Sequence, residues 1–450
     1  MSTARYLIGD TRDVSATLPS SSIDLLFTSP PFLALRSYLP ADHPDKAREI
    51  GSEPGPAEFL DTLLELTAEW SRLVTPHGTI AVELGDTYSG SGGSGGDYRD
   101  GEMREGQAKW SGSAARRSAE NDRPSRTGRN GNTLGHADKD RYASMDTQPG
   151  WPLAKSLTLV PELYRIALAY GINPLTGRKS PAGCWRVRNV VRWVRPNPPV
   201  GALGDKFRPG TSEIVIACRA KDRWFDLDAV RTVNNPDRMD EQGFKRDPAA
   251  HSPNSGFDDS PGANSGEQNP AGAPPLDWWK ISPGGYSGAH YAVFPPELCV
   301  KPIQAMCPRE VCRECGEPRR RITQPSEEYA TMTGTSIFEK KTGHDRGQVG
   351  RNRGNTTPRV TADMVTTGWS DCGHGDYRPG VVFDPFAGSG TTLAVATGHG
   401  RDAIGIDIDE RNADLARDRI GMFLEVEDHR CIAAVPIPAS AQHEGQEATS

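Results

Sequence analysis

The sequence predicts an α/β fold of Rossmann-like type with a mostly parallel, twisted sheet, and three apolar runs carry that prediction. Val381-Val382-Phe383-Asp384 is a β-run that ends in a carboxylate and passes through Pro385, Phe386, Ala387, Gly388, Ser389 and Gly390 into a helix start at Thr391-Thr392. Glycines at 388 and 390 let the backbone bend sharply and approach a ligand, while the N–H groups of the helix start face it. The next run, Ala403-Ile404-Gly405-Ile406, ends in Asp407 about 20 residues after the glycines, where a second Rossmann strand offers a carboxylate to ribose hydroxyls. The third run, Ile23-Asp24-Leu25-Leu26-Phe27-Thr28, is a buried-type strand that enters Ser29-Pro30-Pro31-Phe32. A nucleoside-like cofactor suits the first two runs. The absence of a Gly-x-x-x-x-Gly-Lys-Thr pattern disfavours a phosphate-cradling nucleotidase.

Ser29-Pro30-Pro31-Phe32 sets acceptors beside a stacking face. Proline at 30 has no N–H and a fixed φ, so its carbonyl and the Ser29 hydroxyl are both available as acceptors, with the Phe32 ring next to them. That suits holding a flat base by its exocyclic amino group. Together the two motifs resemble the amino-group DNA methyltransferases, in the permuted order in which the catalytic motif precedes the cofactor motif. The resemblance implies a methyltransferase fold that uses S-adenosylmethionine and acts on double-stranded DNA with the target base flipped out. It assigns catalysis to Ser29, Pro30, Pro31 and Phe32, and cofactor contacts to Asp10, Thr28, Phe294, Pro295, Asp384, Phe386, Ala387, Gly388, Ser389, Gly390, Thr391, Thr392 and Asp407. Serine in the first position is more typical of cytosine-N4 than of adenine-N6 enzymes. The rival readings are adenine-N6 methylation and a non-catalytic DNA-binding protein on the same scaffold. The resemblance is compatible with a restriction endonuclease partner, but a solitary methyltransferase and a restriction-linked one look alike from one chain.

Composition sets bounds on this reading. The chain has 450 residues, of which only 35% are hydrophobic, with 48 glycines and 37 prolines, so much of it is loop. The net charge of −7 is unlike that of a nucleic-acid binder, but arginines gather locally at 186, 188, 192, 195 and 208. Any DNA contact is then local and salt-sensitive. No stretch approaches a membrane span and the start lacks a secretory h-region, which makes a cytoplasmic protein of a bacterial or phage-infected cell the default expectation. Eight cysteines without a secretory context point to free thiols or metal, not disulfides.

Taken in order, Tyr6-Leu7-Ile8-Gly9-Asp10 reads as a short strand; apart from the family role, Asp10 is a helix N-cap or turn residue. Residues 57–74 carry Phe59, Leu60, Leu63, Leu66, Trp70 and Leu73 at helical spacing, followed by a turn at 76–79 and a strand at 80–86. A helix is expected over 157–170 and an arginine-bearing strand over 185–195. In the family a run like Trp193-Val194-Arg195-Pro196-Asn197 lies beside the base pocket. Residues 211–217 and 224–227 read as a hairpin at the sheet edge, and residues 412–424 as an amphipathic helix. Trp278-Trp279-Lys280 either stacks on nucleic acid or anchors its loop to the core.

The expected organisation is a catalytic half over 1–88, a flexible insertion over 89–150, the rest of the catalytic half over 151–231 and a target-recognition region over 232–285. A cofactor-side motif and helix follow over 286–306, then a zinc-binding insertion over 307–376, the cofactor-binding half over 377–435 and a disordered tail over 436–450. The zinc expectation rests on Cys312-x-x-Cys315, half of a tetrahedral site, which Cys372 and His374 complete.

Overall fold

The computed structural model describes residues 2–35, 38–40, 42–89, 149–198, 205–232, 273–283, 294–325 and 364–430. The insertion at 90–148, most of the target-recognition region, residues 326–363 and the tail from 431 lie outside the described residues.

One nine-stranded sheet organises the chain. Strands β1 (Ala4–Ile8), β2 (Ile23–Thr28), β3 (Val74–Leu84), β11 (Val381–Asp384), β12 (Asp402–Asp407) and β13 (Leu424–Asp428) are parallel, in the order β13-β1-β12-β11-β2-β3. Strand β5 (Thr211–Cys218) continues it antiparallel to β3, β4 (Arg186–Val194) lies antiparallel to β5, and β6 (Trp278–Lys280) closes the far edge. Two small ladders stand apart from it: β7 (Glu310–Cys312) with β10 (Tyr377–Pro379), and β8 (Arg321–Pro325) with β9 (Met364–Trp369).

Successive residues of the central strands feed opposite faces, as the period of two requires. Leu26, Ile80 and Val82 pack on one side with α1 (Thr11–Thr17), α2 (Pro56–Leu73) and α3 (Val160–Tyr170). Leu25, Phe27 and Ala81 pack on the other with α4 (Glu297–Met306), α5 (Thr391–Gly398) and α6 (Arg411–Ile420). From β11 the chain winds through α5 to β12 on one side; from β2 it winds through α2 to β3 on the other. The order therefore reverses between β11 and β2, and an open α/β sheet forms its ligand crevice at the carboxyl ends of such strands.

Three sequence expectations are corrected. The turn expected over 76–79 lies within β3, which runs from Val74 to Leu84 and shifts its register against β2 there. The helix expected over 412–424 stops at Ile420, because Gly421 takes φ +72° and turns the chain into β13, an extra strand beside β1. Residues 224–227 form no strand: Trp224 is buried and its N–H donates to the His77 carbonyl, so the segment is tied down instead of paired, and the edge belongs to β6. In β6, Trp279 is buried and its indole N–H donates to the Leu276 carbonyl, so it anchors the segment, whereas Trp278 stays exposed.

Candidate functional site

The crevice between β11 and β2 is a cleft of about 1110 Å³ including its mouth. On one wall lie Ser29, Pro30, Pro31 and Phe32; on the other lie Phe386, Ala387, Gly388, Ser389, Thr391 and Asp407, with Asp10 and Phe294 between them.

The cofactor-side wall is built from within. Asp384, buried at the end of β11, accepts hydrogen bonds from the Thr28 hydroxyl (2.6 Å), the Thr392 hydroxyl (2.6 Å) and the Phe386 N–H (3.1 Å). One carboxylate thus ties the end of β2 to the glycine turn and to the first turn of α5. Burial pushes this carboxyl up to about 6, against the pull of those three donors. Thr28, Asp384 and Thr392 do not line the cleft; they support it from beneath. Neither do Pro295 and Gly390 line it. Gly390 takes φ +73° with its Cα against Ala416, where an added Cβ meets Ala416 Cβ at 2.9 Å. That close approach of turn and helix α6 is what glycine provides here.

Gly388 also takes a positive φ, +51°. Its N–H donates to Asp407 (2.8 Å) and its carbonyl accepts from the Tyr6 hydroxyl (2.7 Å), so both sides of this peptide are pinned. Asp407, partly open to the cleft, is raised to about 6 by burial and by the neighbouring Asp409 carboxylate, against donation from the Asp409 N–H, Asn412 and Gly388. Ser389 is buried in the wall, and its hydroxyl has no hydrogen-bond partner among the described residues. An orphaned hydroxyl in a pinned glycine turn at a helix start fits a polar nucleoside ligand. Asp10 lines the cleft but its carboxylate is engaged: it caps α1 through the Arg12 N–H (2.9 Å) and pairs with the guanidinium groups of Arg12 (2.7 Å) and Arg48 (3.0 Å). The capping role read from the sequence is therefore the one its contacts display.

The facing wall is backed by a residue that the sequence reading missed. The Ser29 hydroxyl donates to Glu83 Oε2 at 2.6 Å, and Glu83 is buried within β3. Burial raises the Glu83 carboxyl above the usual glutamate range, opposed by hydrogen bonds from Ser212 and Ser29 and by the charge of Arg195. Its signal was a single acid inside the apolar run Ile80-Ala81-Val82-Glu83-Leu84, since buried unpaired carboxylates are rare. Phe32 lies over Gly85, where an added Cβ meets the ring at 2.6 Å, so the missing side chain makes room for the aromatic face. Phe294 stands edge-on to Phe27, with ring centroids 5.8 Å apart, which fixes it at the cleft floor. Trp193 and Asn197 do not line the cleft; the Trp193 indole N–H donates to the Ile281 carbonyl, which ties β4 to the segment after β6. Thr11, Arg48, Tyr38, Asp409 and Asn412 also line the cleft and were not anticipated.

Comparison with known proteins agrees with this construction. A family model described as DNA methylase, for N6 and N4 methyltransferases, matches residues 377–418, the stretch that holds β10, β11, α5, β12 and most of α6. The chain is 20% identical to the type II methyltransferase M.SmaI of Serratia marcescens over 418 residues, 92% of this chain and 90% of that one. It is 22% identical to the type II methyltransferase M.Cfr9I of Citrobacter freundii over 291 residues, 64% and 68% of the two chains. Among solved structures it is similar to the PvuII DNA methyltransferase, described as cytosine-N4-specific, at 13% identity and a TM-score of 0.42 over 95% of each chain. A DNA modification methylase assigned as such in Thermus thermophilus, solved with S-adenosyl-L-methionine, is 17% identical with a TM-score of 0.36, over 95% of this chain and 99% of that one. With a Ser-Pro-Pro-Phe wall facing an Asp-Pro-Phe-Ala-Gly-Ser-Gly turn across the switch point of the sheet, this chain is similar to the N6 and N4 DNA methyltransferases in its cofactor-side stretch and, over most of its length, to type II DNA methyltransferases.

Proposed function

We propose that this S-adenosylmethionine-dependent DNA methyltransferase transfers its methyl group to the exocyclic N4 of cytosine. Serine at the first position of the motif carries the choice of cytosine, and the state of Ser29 carries the transfer to an aromatic amine. Its proton is committed to Glu83 at 2.6 Å, so its lone pairs face the cleft beside the Pro30 carbonyl. Two neutral acceptors at one wall suit the two hydrogens of an aromatic amine.

S-adenosylmethionine, when bound, supplies an electrophilic methyl group. The cofactor-side residues would hold it in the cleft: Asp407 would accept from ribose hydroxyls, the Gly388 backbone would admit close approach, and the Ser389 hydroxyl would gain a partner. Phe32 stacks on the target base, which leaves the duplex to reach this depth. The amine lone pair is delocalised into its ring, and acceptance of its hydrogens by Ser29 and Pro30 favours the tetrahedral nitrogen of the transition state over the planar ground state. The N–C bond would form as the methyl–sulfur bond of the bound cofactor breaks, its electron pair staying on the departing thioether; the amine proton would then pass to Ser29 Oγ while the serine proton moves to Glu83, whose raised proton affinity suits it to that role. The type II character of the relatives supports pairing with a restriction endonuclease. Cys312, Cys315, Cys372 and His374 all lie outside the cleft, so a zinc ion on them is structural in this scheme.

The test is incubation of the full chain with mixed-sequence duplex DNA and S-adenosylmethionine, followed by digestion to nucleosides and mass analysis. N4-methylcytosine is the expected product. N6-methyladenine would overturn the choice of base, and cofactor binding with no methylated nucleoside would favour a non-catalytic scaffold.

A further inference from the structure

A second cluster of reactive side chains lies at the opposite end of the sheet from the cleft. Cys312 ends β7, Cys315 follows in the next turn, and Cys372 and His374 precede β10, the antiparallel partner of β7. Each offers one ligand atom, and the four atoms lie within 4.8 Å of one another. Cys312 Sγ and His374 Nδ1 are 3.5 Å apart, although 62 residues separate them in the chain. A tetrahedron with Zn–S near 2.3 Å and Zn–N near 2.05 Å has an S–N edge of about 3.6 Å. The local backbone is shaped for the same purpose. The Cys315 N–H points at Cys312 Sγ (3.5 Å), the Gly316 N–H donates to the Cys312 carbonyl (3.0 Å), and Gly316 takes φ +72°. That turn brings two sulfurs to one side. Gly373 (φ +87°) and Gly375 (φ +76°) bracket His374 and swing it toward them. The cysteines are free thiols, so no disulfide accounts for their meeting. Cys315, Cys372 and His374 are exposed, so apolar burial does not account for it either.

The cluster is joined to the base of the cofactor strand. Only Gly380 separates β10 from β11, and there an added Cβ would stand 2.1 Å from the Pro308 carbonyl, so the two segments are in close contact. From β10, Arg378 reaches Asp24 at the start of β2 (2.6 Å), and the Val381 N–H donates to the same carboxylate (2.8 Å). Asp24 is fully buried and also meets His77 (2.8 Å). Thus β10 fixes where β11 enters the sheet beside β2, and what holds β10 is a three-residue ladder with β7.

We propose that Cys312, Cys315, Cys372 and His374 bind one zinc ion, and that this ion clamps β7 to β10 and so fixes the entry of the cofactor strand β11. Three thiolates and one imidazole in a closed tetrahedron select zinc over the harder divalent cations. The metal assignment stands without the methyl-transfer reading; the clamp rests on the cofactor site that reading assigns.

The test begins with the full chain purified without chelator and analysed for metal by mass spectrometry, with one zinc per chain expected. Replacement of zinc by cobalt(II) gives the intense visible absorption of a tetrahedral thiolate site. Titration with a mercurial releases the ion as three thiols react. Cys315→Ser and Cys372→Ser each lower the zinc content at least tenfold at submicromolar free zinc. Removal of the ion from the wild-type chain weakens S-adenosylmethionine binding tenfold or more, measured by calorimetry, and zinc restores it. Less than a tenth of an equivalent of zinc, with no cobalt spectrum, overturns the site. A metal that is present but whose removal leaves cofactor affinity unchanged overturns the clamp. Should the variants fail to fold, the cobalt spectrum and mercurial release of the wild-type chain decide the first question.

Discussion

The sharpest prediction concerns Glu83, which meets Ser29 through a bond of 2.6 Å. A hydroxyl donating to a carboxylate at about 2.5–2.7 Å is charge-assisted, and such bonds contribute about 1.5–3 kcal/mol. Glu83→Gln keeps the shape and an acceptor oxygen but removes the charge and the proton sink. If that contribution is spent in the transition state, kcat falls by roughly 10- to 150-fold, at about 1.4 kcal/mol per factor of ten. Glu83 does not line the cleft, so S-adenosylmethionine affinity is unchanged within about twofold. The pH profile supplies an independent reading. The Glu83 carboxyl is raised by burial, and only its ionised form accepts the serine proton, so wild-type kcat falls as pH drops through that raised value. The variant lacks this acidic limb. Single-turnover methylation of duplex DNA across pH, beside calorimetric cofactor binding, measures all three quantities. A Glu83→Gln enzyme with wild-type kcat and an unchanged acidic limb refutes the reasoning.

On the proposed cofactor contact, Asp407, raised to about 6, accepts ribose hydroxyls more strongly when ionised, so cofactor affinity should fall as pH drops below about 6. Calorimetry on Asp407→Asn should give weaker binding at neutral pH with that slope gone; a slope that persists assigns it elsewhere. The raised value also means that this carboxyl's contribution to stability without cofactor is greatest below the ordinary aspartate range and declines as pH rises through about 6, which thermal unfolding against pH can follow. Tyr6→Phe leaves the Gly388 carbonyl without its donor, at a cost of about 1–3 kcal/mol; both the unfolding temperature and cofactor affinity should drop, and no change in either would show that the turn is held by other contacts. Gly405→Ala places a Cβ 2.7 Å from Ala387 Cβ and 2.9 Å from Leu393, so overpacking of about 1–3 kcal/mol should push Ala387 into the cleft and weaken cofactor binding, as equilibrium dialysis would measure.

Much of the central sheet was legible because its signals are local. Runs of branched residues ending in an acid mark β11 and β12, a run entering Ser29-Pro30 marks β2, and 3.6-residue spacing marks α2. The failures have physical causes as well. Strand β13 has the sequence Leu-Glu-Val-Glu-Asp, too charged to announce a buried strand, and it survives because it is an edge with one apolar face. Met422, Phe423 and Leu424 continue the helical spacing past Gly421, so the glycine stop was overridden in the reading although it governs the chain. At the site, sequence placed both motif walls, but not their mutual support. Thr28 and Asp384 are 356 residues apart, and no local pattern reports that their side chains meet. Asp10 shows the converse, since an acid at a strand end is also an N-cap, and Arg12 and Arg48 decide which it is.

The position of β1 has a consequence for how the molecule is made. This strand is inserted between β12 and β13, and the Thr3 N–H meets the Asp402 carboxylate across 399 residues of chain. At a synthesis rate of roughly 5–20 residues per second, about 20–80 s pass between the emergence of the first strand and that of either neighbour. Throughout that interval Tyr6, Leu7 and Ile8 belong to a strand with no ladder on either side. The nascent protein thus carries an adhesive edge through that interval, which a holding chaperone would cover.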